Sequence, residues 1–139
     1  RNGDAVALFV ADVDGFRDFN SRHGQIKGDR ALQQIAAVLP RCVRPSDLVA
    51  RAEGDAFAIL LPSASVDQAQ CVAERVRKAI IAQAIPVQDR DDVPRSLTVS
   101  SGLAQMKSGD ALGELCAAAE AGLRIARDDG GNCVRIALP

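Results

Sequence analysis

The chain has 139 residues, enough for one domain with a full core, and 47% of them are apolar, which excludes a disordered chain. Seventeen basic against eighteen acidic residues leave a net charge of −1, so there is no polybasic field for general binding to nucleic acid or a membrane surface.

No apolar run reaches the roughly 18 residues that a membrane span needs, and the opening "RNGDAV" is not a signal peptide. The cysteines, Cys42, Cys71, Cys116 and Cys133, form no C-x-x-C pair, and His23 is the only histidine beside them. They read as reduced, mostly buried thiols of a cytoplasmic protein. An opening that runs almost at once into a strand reads as one domain, 1–139, excised from a longer multidomain protein.

In chain order, "AVALFVA" (5–11) is a short apolar run that predicts a buried central strand, whose end delivers Asp12 and Asp14 to a loop. A helix is predicted from Phe16 to Arg22. A second runs from about Gly28 to Leu39, with Leu32, Ile35, Ala36 and Leu39 on one face and Pro40 as its stop. "DLVARA" and "AFAILLP" predict two strands joined at Glu53, Gly54 and Asp55, a hairpin whose glycine can take positive φ.

Residues 65–84 open on a serine cap and predict a long third helix. "PVQDRDDVPRS" reads as a polar loop, 97–105 as an alternating strand, and 110–129 as a fourth helix closed by Gly130 and Gly131. "CVRIAL" is the last strand. The order β-α-α-β-β-α-β-α-β, with a hairpin between helical crossovers, predicts an α+β sandwich of a mostly antiparallel sheet flanked by helices.

Five segments, "DVDGFRDFN", "GQIKGDRAL", "RPSDLVARAEGDAF", "TVSSGLA" and "ARDDGGN", occur in an order and spacing that resembles the GGDEF family over essentially the whole chain. These are diguanylate cyclase domains, which join two GTP molecules into cyclic di-GMP on a fold like that of the class III nucleotidyl cyclases. The resemblance implies that Asp12 and Asp55 are the carboxylates that hold Mg²⁺, a hard cation suited to oxygen ligands. It implies that Asn20 and Asp29 read guanine, the amide donating and accepting and the carboxylate accepting. Arg17 and Arg127 stand at lysine positions near phosphate, and Phe16 matches a family aromatic.

The family signature reads Glu53-Gly54-Asp55-Ala56-Phe57 here, with glutamate for its first glycine and alanine for its fourth-position glutamate. A carboxylate at 53 would crowd and repel a triphosphate, at roughly 3 kcal/mol for a like-charge pair about 5 Å apart at an effective dielectric near 20. Gly131 stands where the family has arginine. These losses predict a vestigial active site with no catalytic residue and no useful cyclase activity.

Arg44-x-x-Asp47 matches the family's I-site motif for cyclic di-GMP, and Arg75 falls where a further arginine touches that ligand. An arginine fork suits guanine N7 and O6 or a phosphate. The leading expectation is therefore a catalytically inert cyclic di-GMP receptor, with Mg²⁺ only if GTP is bound. Ligand cross-links a homodimer or exposes a surface to an unidentified protein partner, without contact to nucleic acid or membrane. The alternatives are a weakly active cyclase, a GTP-binding regulatory module, and a structural dimerisation module.

Overall fold

A computed structural model describes residues 5–52, 54–88, 95–106 and 111–137. Strand β1 (Val6–Val13) leads into α1 (Phe16–His23) and α2 (Gln25–Val38), and a 3₁₀ turn (Leu39–Arg41) follows at Pro40. The hairpin β2 (Leu48–Arg51) and β3 (Ala56–Pro62) precedes α3 (Val66–Ala82). Then come β4 (Pro86–Val87), β5 (Arg95–Ser96), β6 (Val99–Met106), α4 (Leu112–Asp128) and β7 (Val134–Ile136).

Five strands form one sheet in the order β2-β3-β1-β6-β7, antiparallel except for the β6–β7 pair. This is the expected α+β architecture. One face carries α1, α2 and α3 over a core that includes Phe9, Phe57, Ile59, Leu61, Ile35 and Ile80. The other is covered by α4, with Leu115, Ala119 and Leu123 packed on Leu8, Val10 and Ala104. β3 shows why the hairpin suits this position. Its residues alternate between buried and half-buried, with Phe57, Ile59 and Leu61 turned to the larger core.

The capping at 65 is as expected: Ser65 accepts from the Gln68 amide while the Gln68 side chain accepts from the Ser65 amide. At the end of α4, Gly130 and Gly131 both take positive φ, and their amides donate back to the carbonyls of Arg127 and Ala126.

Four expectations are corrected. β1 continues to Val13, so Asp12 lies within the sheet, because β3 and β6 both go on pairing with it. α2 starts at Gln25, three residues early, because Gly24 at φ 91 ends α1 and lets the next helix begin at once. β6 does not alternate: Val99 to Ala104 are all buried, as befits an inner strand with helices on both faces. Part of the polar loop forms the short β4–β5 ladder.

The four cysteines are free, but only Cys42 is buried, Cys133 is half-buried, and Cys71 and Cys116 are exposed on helix faces turned from the core. Among the described residues, no helix is long and apolar enough to cross a membrane.

Candidate functional site

The break at Gly24 sets α1 and α2 side by side so that one face of each looks towards the β2–β3 turn. Between them lies a cleft of about 610 Å³. Phe16, Arg17 and Asn20 come from α1, Gln25 and Asp29 from α2, and Arg51, Gly54 and Asp55 from the hairpin. The structure thus gathers the predicted guanine-reading pair and the predicted Asp55 around one space.

Asn20 packs against Gly28, where any Cβ would overlap its Oδ1, so glycine at 28 is what lets the amide lie there. That Oδ1 is buried and accepts no hydrogen bond from any described residue. Asp29, on the exposed side, accepts among the described residues only a long bond of 3.5 Å from Gln25. Arg51 was not among the predicted residues. Its guanidinium donates to the Gly54 carbonyl at 2.9 Å and lies 5.2 Å from the Phe57 ring, bracing the turn and placing a cation on the cleft.

Gly54 has φ 65, as the hairpin requires, while Glu53 lies outside the described residues. Phe57 is core, 2% exposed, and Phe16 stacks on Phe19 with ring centroids 6.1 Å apart.

Asp12 pairs across the sheet with Ala56 on one side and Ser100 on the other, so the missing carboxylate of position 56 would have stood directly beside it. One oxygen of Asp12 is held by the Arg127 guanidinium. The other, Oδ1, is buried without a partner among the described residues. A buried carboxylate oxygen left unpaired is costly, and a hard cation shared with phosphate oxygens is the kind of group that satisfies it.

The donor set fits Mg²⁺ in that sense only. Asp55 is one residue from Ala56 at the turn, and among the described residues no group of three or more His, Cys, Asp or Glu forms a self-sufficient metal cluster.

Desolvation pushes the Asp55 carboxyl above its usual range, against a hydrogen bond from its own backbone amide and the charge of Arg51. A raised carboxyl pKa means that the folded chain binds this proton more readily than the unfolded chain does. Its contribution to stability is present below the unfolded pKa and is lost as pH rises through the folded value. Asp55→Asn is therefore expected to raise the melting temperature at about pH 7 and leave it unchanged near pH 3. An equal change at both pH values would contradict the burial argument.

A second cleft, about 530 Å³, opens on the other side of the hairpin between β1, β3 and α4, and Asp12, Ala56, Arg124 and Arg127 line it. Nearby, Asp14 accepts hydrogen bonds from the Thr98 and Ser100 hydroxyls, at 2.7 and 2.6 Å, and from the Asn132 amide at 2.9 Å. It clamps the turn after α4 to the end of β1, a structural role that sequence reasoning did not assign. Its spacing of two from Asp12 put both acids in one loop on paper, whereas only Asp14 has left the strand.

At the Arg44-x-x-Asp47 motif, Asp47 is fully covered. It accepts from the Arg44 backbone amide at 2.8 Å and from the Arg44 guanidinium at 2.9 Å. Arg44 also donates to the Pro62 carbonyl at 2.7 Å, and its own side chain is about half exposed. Arg75 donates to the Cys42 carbonyl at 2.9 Å. Arg44 and Arg75 share a third cleft of about 300 Å³ with Leu61, Gln68, Cys71 and Val72. The two arginines are brought together, while Asp47 stands behind Arg44 as its anchor.

The family described as "Diguanylate cyclase, GGDEF domain" matches residues 1–133. The chain belongs to the GGDEF family. The diguanylate cyclase DgcM of Escherichia coli K12 is 34% identical over 128 residues, 92% of this chain and 30% of DgcM. The chain thus spans under a third of such a relative.

The GGDEF domain of DgcB from Caulobacter crescentus, solved in complex with c-di-GMP, is 28% identical with a TM-score of 0.85. The match covers 96% of this chain and 78% of that one. The diguanylate cyclase SiaD from Pseudomonas aeruginosa, solved with its activator SiaC, is 31% identical with a TM-score of 0.87, over 99% of this chain and 52% of that one.

This GGDEF domain therefore belongs to cyclic di-GMP signalling, and the expectation that it is not an enzyme is corrected. Relatives matched over most of its length are named diguanylate cyclases. The physical reason is visible in the clefts. The substitution at 56 removes one carboxylate but leaves Asp12, Asn20, Asp29 and Asp55 lining formed spaces.

Proposed function

We propose that this chain is the diguanylate cyclase domain of a longer, cytoplasmic protein, condensing two GTP molecules into cyclic di-GMP. In each half-reaction the 3′-oxygen of one nucleotide bonds to the α-phosphorus of the other as the bond to pyrophosphate breaks. The observation that carries the reading is the pair of buried, unpaired oxygens at the two clefts, Asn20 Oδ1 and Asp12 Oδ1. Unsatisfied buried acceptors are rare in folded chains, and these two sit where a base and a metal-bound phosphate are called for.

In this reading Asn20 and Asp29 hold the guanine edge, with Arg17 and Arg51 beside them as exposed cations on the cleft. Asp12 and Asp55 are the residues that would hold Mg²⁺, which supplies charge neutralisation at the phosphates when bound. Arg127 keeps Asp12 oriented until nucleotide arrives, then is free to turn to the phosphates. Incubation with GTP and Mg²⁺ tests this directly. Cyclic di-GMP and pyrophosphate in a 1:2 ratio are expected, and GTP recovered intact at high protein concentration would overturn the proposal.

The product is proposed to bind at Arg44 and Arg75, where two guanidiniums share a cleft that includes the apolar side chains of Leu61 and Val72. Asp47 acts by holding the Arg44 fork in place. By calorimetry, Arg44→Ala is expected to weaken cyclic di-GMP binding by about tenfold to a hundredfold, the range of one charge-assisted contact. Unchanged binding would move the ligand elsewhere. A ligand shared between two domains, or a protein partner acting on this face, would add to this contact.

A further inference from the structure

The turn after α4 is unfavourable to any side chain at position 131, where the family resemblance places an arginine. Gly131 has φ 78, and a Cβ there would stand 3.1 Å from the Asp14 carboxylate, which is already engaged by Thr98, Ser100 and the Asn132 amide. A side chain at 131 would be strained in backbone and crowded at its root. The phosphate-facing cation has to come from another position.

α4 offers one. Positions 120, 124 and 127 follow one another at spacings of four and three, so Glu120, Arg124 and Arg127 form a single stripe along the helix, and all three line the cleft that Asp12 and Ala56 floor. Arg127 is engaged by Asp12. Arg124 is exposed and makes no hydrogen bond or ion pair with any described residue. Among the described residues the cleft holds two carboxylates and two guanidiniums, which balance in charge. A uniform field does not draw an anion into it, and the placing of the one uncommitted fork decides where phosphate sits.

We infer that Arg124 supplies the cation that Gly131 cannot, so that the triphosphate of GTP lies along α4 between Arg124 and Arg127. This rests on the cyclase reading and adds a phosphate-binding residue to it. Arg124 grips phosphate and has no part in reading the base, which is held in the other cleft. Its guanidinium can meet two phosphate oxygens side by side, which a lysine ammonium cannot.

The test compares GTP with guanosine as calorimetric ligands, in the presence of Mg²⁺, for the unaltered protein, Arg124→Ala and Arg124→Lys. Arg124→Ala is expected to weaken GTP binding by about tenfold to a hundredfold and leave guanosine unchanged, with Arg124→Lys in between. The side chain is exposed, so melting temperatures should agree across the three proteins.

Unchanged GTP binding in Arg124→Ala would overturn the inference while leaving the cyclase reading standing. Equal weakening of GTP and guanosine would assign Arg124 to general scaffolding and overturn it as well. An unaltered protein that binds no GTP would overturn both.

Discussion

Asp12→Asn is expected to lower cyclic di-GMP formation from GTP by about a hundredfold or more while moving the melting temperature by no more than a few degrees. Asparagine keeps the shape of the side chain and one carbonyl oxygen, so the packing between β3 and β6 is undisturbed. It removes the negative charge that would neutralise a divalent cation, and it does so at the one buried carboxylate oxygen without a partner in the described fold. The ion pair with Arg127 is lost too, but the arginine side chain is 50% exposed. A pair with one partner open to water contributes about 1 kcal/mol, and the remaining carbonyl oxygen of asparagine can still accept from the guanidinium.

Activity and stability therefore separate, which is the mark of a functional acid. Product formation at increasing Mg²⁺, read beside a melting curve, checks it. A rate near that of the unaltered chain would remove Asp12 from metal binding, and a collapse in melting temperature would make the residue structural.

Much of this site was legible in the residues because it is built from local geometry. A glycine that breaks α1 from α2, and an asparagine and aspartate nine apart across that break, bring Asn20 and Asp29 to one cleft whatever the rest of the chain does. The hairpin was equally readable, since the turn at Gly54 needs positive φ and is flanked by apolar runs.

What could not be read depends on pairing over long separations. The place of Asp12 inside the sheet follows from β3 and β6 extending alongside it, and nothing within ten residues of Asp12 encodes that. The full burial of β6 follows from α4 closing the second face. Its sequence, "VSSGLAQM", mixes hydroxyl, glycine and apolar residues that alternation cannot interpret.

Arg51 and Arg124 were missed because an arginine on an edge strand or helix surface looks like solubilising charge until the clefts beside it are known. The mistaken expectation of an inert domain came from weighing the altered positions 53, 56 and 131 as if each residue acted alone. Ala56 faces Asp12 across a strand pair, so the acid that remains still has its space.

The placement of α4 rests on two glycines in contact, and from this comes the largest expected effect on stability. Gly102 on β6 and Gly122 on α4 meet so closely that a Cβ on Gly122 would stand 3.1 Å from the Gly102 Cα. A Cβ on Gly102 would overlap backbone atoms of Ala119 and Leu123, which no rotamer change can move aside. Gly102→Ala therefore forces α4 off the sheet, parting Leu115, Ala119 and Leu123 from Leu8, Val10 and Ala104.

Overpacking of this kind costs about 3 kcal/mol or more, a large share of the 5–15 kcal/mol that typically holds a domain together. A melting temperature lower by about 10 °C or more is expected. Gly113→Ala, in the first turn of the same helix with nothing within 4 Å of the added carbon, is the matched control. It should be neutral or stabilising by up to about 1 kcal/mol, the helix propensity difference. If Gly102→Ala melts like Gly113→Ala, the close approach of α4 to β6 is wrong. The second cleft, which depends on α4 for Glu120, Arg124 and Arg127, would then have to be redrawn with it.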